Sequence, residues 1–182
     1  MQYSHNYNSP LGKITILSDG AALTGLWFDE QHTFARLPCC KQGTSLPIFD
    51  ETDTWLNIYF AGQDPGFIPA LNLSGTEFCL KVWNILLTVP YGQTVTYGEI
   101  AKKISPDMSA QAVGNAVKRN NIALIVPCHR VIGAKGNLVG YAGGAARKAA
   151  LLQMEQLCLF QPFSPKNNCG IIVNRHGGRL HG

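Results

Sequence analysis

The sequence predicts an α+β protein built in two parts, and three observations predict it. Strand-like alternation around an Asp-Gly turn fills the first thirty residues. Helix caps and helical spacing of apolar residues dominate from Ser74 onward. The charge changes sign between the two regions. Residues 1–76 carry Lys13, Arg36 and Lys41 against seven acidic residues, a net −4, whereas residues 77–182 carry twelve Lys or Arg against Glu77, Glu99, Asp107 and Glu155, a net +8. The expected division is 1–72 with its linker, 73–160, and a C-terminal tail 161–182.

Taken in order, Ser9-Pro10-Leu11-Gly12 marks a turn, and Lys13–Ser18 alternates as a strand. Asp19-Gly20 turns the chain, and Ala22–Phe28 returns as the second strand. Residues 50–61 place Trp55, Ile58, Tyr59 and Phe60 at helical spacing, with Asp53 or Thr54 as cap. This reads as a packing helix. Gly62–Asn72, rich in Gly and Pro around Asp64-Pro65-Gly66, reads as the linker.

Ser74-Gly75-Thr76-Glu77 has the form of a capping box, and Phe78, Val82, Ile85, Leu86 and Val89 form the stripe of the helix behind it. Pro90-Tyr91-Gly92 ends that helix. Thr96-Tyr97-Gly98-Glu99 forms a second box, opening a helix through Ile104 that Ser105-Pro106-Asp107 breaks. Asp107 or Ser109 caps a third helix, Ala110 to Lys118, made of small residues and ending in Lys118-Arg119. Two short helices joined by a tight turn read as a helix-turn-helix, whose small side chains suit either close packing or close approach to a groove. The apolar run Ile122–Val126 reads as a buried strand stopped by Pro127, which has no N–H to donate. Gly133–Asn137 is a turn, Gly140-Tyr141-Ala142-Gly143-Gly144 a flexible loop, and Ala145–Leu157 a helix. The tail, with Ile171-Ile172-Val173 as its one apolar run, reads as flexible.

The six cysteines fit no disulfide framework or zinc ribbon, which points to a reduced, cytoplasmic protein. No apolar run is long enough to span a membrane, and the start lacks a signal-peptide pattern. His32 with Cys39-Cys40 is a weak zinc candidate, because adjacent cysteines chelate a tetrahedral ion poorly. No metal is therefore expected. The basic second half suits a polyanionic partner.

The chemistry concentrates in Pro127-Cys128-His129-Arg130-Val131. A thiol is nucleophilic as the thiolate, so the site needs a base for its proton, and His129 is adjacent in sequence. A carboxylate behind the imidazole would fix its tautomer. The bland alternative is a structural cysteine beside solvated neighbours. The stretch, together with Tyr97, Asn120 and Gly140–Gly144, resembles the methylated-DNA–protein-cysteine methyltransferases (the O6-alkylguanine-DNA alkyltransferases) of bacterial type. The resemblance runs from about Ser9 to about Leu159 and is strongest from Thr76 to Glu155.

That resemblance implies a ribonuclease-H-like N-terminal domain ahead of a helix-turn-helix DNA-binding domain. It implies irreversible, single-turnover transfer of the alkyl group from O6-alkylguanine in duplex DNA to Cys128 after base flipping, with O4-alkylthymine as a second candidate substrate. His129 and Glu155 would activate the thiol, and Tyr97 and Lys148 would meet the departing base. Ala110, Gln111, Asn120, Arg130, Val131, Tyr141 and Ala142 would contact DNA or the base. No cofactor is implied, the partner is double-stranded DNA, no membrane is involved, and the protein is a monomer. Gln111 departs from the family's arginine, with less reach and no charge. The competing readings are a non-catalytic sensor of alkylated DNA, which would lack the cysteine, a helix-turn-helix regulator, and a cysteine hydrolase using Cys128, His129 and Glu155.

Overall fold

The computed structural model describes residues 1–29, 40–42, 45–138 and 140–159. The zinc candidates His32 and Cys39 and the tail 161–182 lie outside the described residues. Cys40 lies at the start of a short strand.

The N-terminal half is a four-stranded sheet carrying one helix. β1 (Gln2–Ser9) pairs antiparallel with β2 (Gly12–Ser18), which pairs antiparallel with β3 (Leu23–Phe28). β4 (Cys40–Gln42) adds parallel to β1, giving the order β3-β2-β1-β4. The β2–β3 hairpin lies where the Asp-Gly turn placed it. β1 had no apolar alternation to reveal it, because one face carries Gln2, Ser4, Asn6 and Asn8 and the other includes His5 between Tyr3 and Tyr7. Helix α1 (Pro47–Phe60) begins at Pro47, earlier than the cap at Asp53 or Thr54 predicted. Proline suits that first position because the N–H it lacks would have no helical partner there. Thr54 sits inside the helix, its hydroxyl donating to Asp50 O at 2.8 Å, and Asp53 pairs with His5.

The second half is mainly helical. α2 (Glu77–Leu87) is capped by Thr76, whose hydroxyl accepts from Cys79 N, so the predicted box at Ser74 is replaced by a cap two residues later. Glu77 instead pairs with Lys81 at 2.7 Å. The box at Thr96 and Glu99 is present at the start of α3 (Tyr97–Ile104). Ser109 caps α4 (Ala110–Lys118) by accepting from Ala112 N. α5 (Ala145–Leu159) closes the described chain, and a short parallel pair, β5 (Val95–Thr96) and β6 (Val131–Ile132), links α3 to the reactive stretch.

The run Ile122–Val126 is buried as expected but is no strand. Leu124 has φ of 67°, and the chain folds back through Ile125 N to Ala123 O and Val126 N to Ile122 O. One contiguous apolar core joins Ile14, Leu26, Phe28 and Leu56 of the first half to Trp83, Ile100, Val117, Leu124 and Leu151 of the second. Among the described residues no helix is long and apolar enough to cross a membrane.

Candidate active site

The site begins at the end of α4. Asn120 is buried, and its side chain takes over the hydrogen bonding a strand ladder would have supplied. Oδ1 accepts from Ile122 N at 3.0 Å, while Nδ2 donates to Val126 O at 2.9 Å and to Ile122 O at 3.3 Å. The clamped turn delivers Cys128, His129 and Arg130 as a single 3₁₀ turn, all three buried.

Behind the thiol lies a buried ionic cluster. Glu155, from α5, accepts His129 Nε2–H on Oε1 at 2.7 Å. Arg130 donates Nε to Oε2 at 2.9 Å and Nη2 to Oε1 at 3.1 Å, and its Nη1 donates to Val89 O at 2.7 Å. Gly92 N–H donates to Oε2 at 2.9 Å, and Tyr59 Oη donates to Oε1 at 2.8 Å. Burial alone would raise the Glu155 carboxyl, but hydrogen bonds and charge from His129 and Arg130 hold it at about 2. Burial pushes the His129 imidazole down, against the pull of Glu155, which keeps it neutral. An ionised carboxylate can only accept, so Nε2 carries the ring proton and Nδ1 carries a lone pair. Nδ1 is buried, and no protein atom hydrogen-bonds to it among the described residues.

In front of the thiol is a small cleft lined by Val117, Asn120, Ala123, Cys128, Gly140, Tyr141 and Ala142. Burial pushes the Cys128 thiol up, opposed by the Asn120 amide, the Lys148 charge and the backbone N–H groups of Cys128 and His129. The rest state is therefore a thiol, whose proton has to be taken before the sulfur can attack. Lys148 is buried and its ammonium donates to Val131 O at 2.5 Å; burial lowers it, and Cys128 works against that. Tyr97, at the first turn of α3, points its hydroxyl at Gly140. A Cβ on that glycine, at φ +77°, would come within 2.6 Å of Tyr97 Oη. Burial and then the neighbouring Cys128 raise the Tyr97 phenol, so it remains a proton donor. Tyr141 Oη is buried with no hydrogen-bond partner among the described residues, and its ring centroid lies 6.4 Å from that of His129.

Most of the predicted set thus comes together: Cys128, His129, Glu155, Lys148, Tyr97, Asn120, Val131, Tyr141 and Ala142 surround one cleft or its floor. Arg130, expected among the base-contacting residues, instead turns inward to Glu155 and Val89. Ala110 and Gln111 sit apart, exposed on the first turn of α4, and Lys102, Lys103, Lys118 and Arg119 are exposed on α3 and at the end of α4. The reading missed Tyr59 and the Gly92 N–H. Helical spacing identified the buried face of α1 but held no signal for an ionic partner. Among the described residues no three His, Cys, Asp or Glu side chains gather as a metal would require.

A family model described as the 6-O-methylguanine DNA methyltransferase DNA binding domain matches residues 77–157, and its companion, the ribonuclease-like domain, matches residues 2–72. The chain belongs to the 6-O-methylguanine DNA methyltransferase family. Among relatives of this methyltransferase family, the methylated-DNA–protein-cysteine methyltransferase of Mycobacterium leprae is 43% identical over 157 residues, covering 86% of this chain and 93% of that protein. The protein of the same name from Methanosarcina acetivorans is 43% identical, covering 84% of this chain and 97% of that one. A crystal structure of Mycobacterium tuberculosis OGT in complex with DNA superposes with a TM-score of 0.75 at 44% identity, covering 85% of this chain and 93% of that one. The mixed fold, a sheet domain followed by a helical one, is the fold of these methyltransferases.

Proposed function

We propose that the protein repairs DNA by moving the alkyl group of O6-alkylguanine onto Cys128, once per molecule. The observation that carries this is the placement of Cys128 on the floor of a cleft, one residue from an imidazole whose Nε2–H is held by a buried carboxylate and whose Nδ1 lone pair is left over. His129 accepts the thiol proton, directly or through a water, and Glu155 stabilises the imidazolium that forms. The sulfur–carbon bond forms as the carbon–O6 bond breaks, leaving the electron pair on guanine. Tyr97 Oη supplies the proton that neutralises the base, and the imidazolium returns a proton through solvent. Lys148 supports the thiolate by its charge, and its bond to Val131 O fixes the chain after the reactive turn. The product is a thioether, and no residue of the cleft offers a way to cleave it.

A target atom inside a duplex is reached by extruding its base, which the cleft then receives against the Val131 and Ala142 backbone and the Tyr141 ring. α3 and α4, with their exposed lysines and Arg119, act as a helix-turn-helix that tracks the phosphates, and Gln111 occupies the space the base leaves. In this reading residues 1–72 and 73–160 are the two domains, and the protein works as a cytoplasmic monomer. A sensor or regulator is not favoured, since neither needs a thiol backed by this cluster. Incubation with an O6-methylguanine duplex should add one methyl group, found by peptide mass spectrometry on Cys128. Cys128→Ala should bind the duplex and remove nothing. Repeated turnover per molecule would overturn the proposal.

A further inference from the structure

Tyr59 belongs to α1, on the sheet domain, yet its hydroxyl ends inside the ionic cluster behind Cys128. Oη donates to Glu155 Oε1 at 2.8 Å and lies 3.2 Å from His129 Nε2. The ring is fully buried and fixed on several sides: it stacks on Trp55 at 5.1 Å, and it meets Phe60 at 5.4 Å, Tyr91 at 6.0 Å and His129 at 6.3 Å edge-on. A phenylalanine would fill the same stack, so packing does not account for the hydroxyl. Placing a phenol in such a site costs desolvation, which the bond to an ionised carboxylate offsets.

We infer that Tyr59 is a positioning residue for alkyl transfer, its hydroxyl holding the carboxylate oxygen that fixes His129 Nε2–H and so leaving Nδ1 as the nitrogen that takes the thiol proton. This rests on the reading of His129 as the base. Oε1 accepts from three side chains: Tyr59, His129 and Arg130. Each donor draws charge from the oxygen and weakens its pull on the imidazole proton. With the hydroxyl gone, Oε1 is more basic, holds the imidazolium more strongly and raises the proton affinity of the ring. The other groups around His129 do not change in that comparison. Arg130, from its own turn, and Lys148, from α5, both disfavour the imidazolium, and Cys128 and Tyr141 are uncharged at rest. Burial holds the Tyr59 phenol far above neutrality, so it remains a donor throughout the working range. The sheet domain thereby contributes a hydroxyl to chemistry carried out in the helical one.

The test is full-length Tyr59→Phe, followed in single-turnover transfer from free O6-benzylguanine, a ligand that needs no base flipping. Imidazolium beside a neutral thiol is the unreactive form at low pH, so raising the ring's proton affinity moves the acid limb to higher pH. The expected result is a limb shifted up by about 0.5–1 unit, with transfer about three- to tenfold slower on the acid limb and little changed above it. The His129 ring resonances should titrate with the same upward shift. A profile superimposable on wild type, or a uniform loss of rate with no shift, would overturn the inference. His129→Gln, run in parallel, separates the two readings. An active His129→Gln removes the base assignment itself, whereas an inactive His129→Gln beside an unshifted Tyr59→Phe removes only the role of Tyr59. Nitrogen-15 shifts of wild-type His129 give an answer that needs no variant: the Nε2–H tautomer at neutral pH supports the arrangement, and the Nδ1–H tautomer overturns it.

Discussion

Glu155 is wholly buried and ionised, a state that several donors and one guanidinium make tolerable. Glu155→Gln would leave Arg130 buried without its counter-charge, and a loss of about 3–5 kcal/mol is expected in urea unfolding. The acid response follows from the two directions. The Glu155 carboxyl is held at about 2, against about 4.3 in an unfolded chain. It therefore favours the folded state above the unfolded value, and that share is lost as pH falls toward 2. His129 is held neutral when folded but gains a proton below about 6.5 when unfolded, so its share is lost earlier on the way down. Unfolding free energy measured against pH should fall in two stages, and Glu155→Gln should reduce the lower one, to which Asp19 also contributes. In sequence, the adjacency of thiol and imidazole is plain. Glu155 became legible only through resemblance, since 26 residues separate it from His129. Tyr59, 96 residues from Glu155, was not legible at all, because spacing records which face of a helix is buried and not which hydroxyl meets an ion there.

At the scale of elements, apolar content foretold the burial of Ile122–Val126 but not its path. A buried strand and a buried turn look alike in composition, and the difference lies in where the backbone hydrogen bonds go. Here they go to Asn120. Asn120→Ala should leave Val126 O and Ile122 N short of partners, cost about 1–3 kcal/mol, and slow transfer beyond that loss because the thiolate loses a donor; thermal melts and single-turnover rates separate the two effects. The capping box at Thr96 was legible because both halves of it lie in sequence, whereas β1 was not, because a strand of polar residues is recognised only by its neighbours. The exposed ends of α4 carry the duplex predictions. Replacing Lys118 and Arg119 together by alanine should flatten the salt dependence of DNA affinity by about two phosphate contacts, seen in binding isotherms over a salt series. Gln111→Arg should strengthen duplex binding by at most about 1.5–3 kcal/mol and leave reaction with free O6-benzylguanine unchanged, which a paired rate measurement checks.

For the molecule as a whole, the two family-matched regions are less separate than their boundaries suggest. β3 is an edge of the sheet, and its open side is closed by the second half of the chain. Leu26 N donates to Asn121 O and Ala123 N donates to Leu26 O, each at 2.7 Å, while Leu71 closes the same edge at Leu23. Arg147 adds a tie, donating to Leu11 O at 3.0 Å and to Gly143 O at 2.9 Å while covering the Phe28 ring. A sheet edge stripped of such cover pairs with other chains, so a fragment ending at residue 72 should aggregate, as light scattering would report. The seam at Leu26 also joins, within three residues, the strand of one region to the clamped turn that carries Cys128. Loosening either side breaks the same pair of hydrogen bonds, which makes unfolding one cooperative event. Melting followed by far-ultraviolet dichroism and by the fluorescence of Trp27 and Trp55, with Trp83 replaced by Phe, should then give one coincident transition. The chain is in effect a single thermodynamic unit: a base analogue captured in the cleft should raise the melting temperature reported by the distant sheet as much as that of the helices around it.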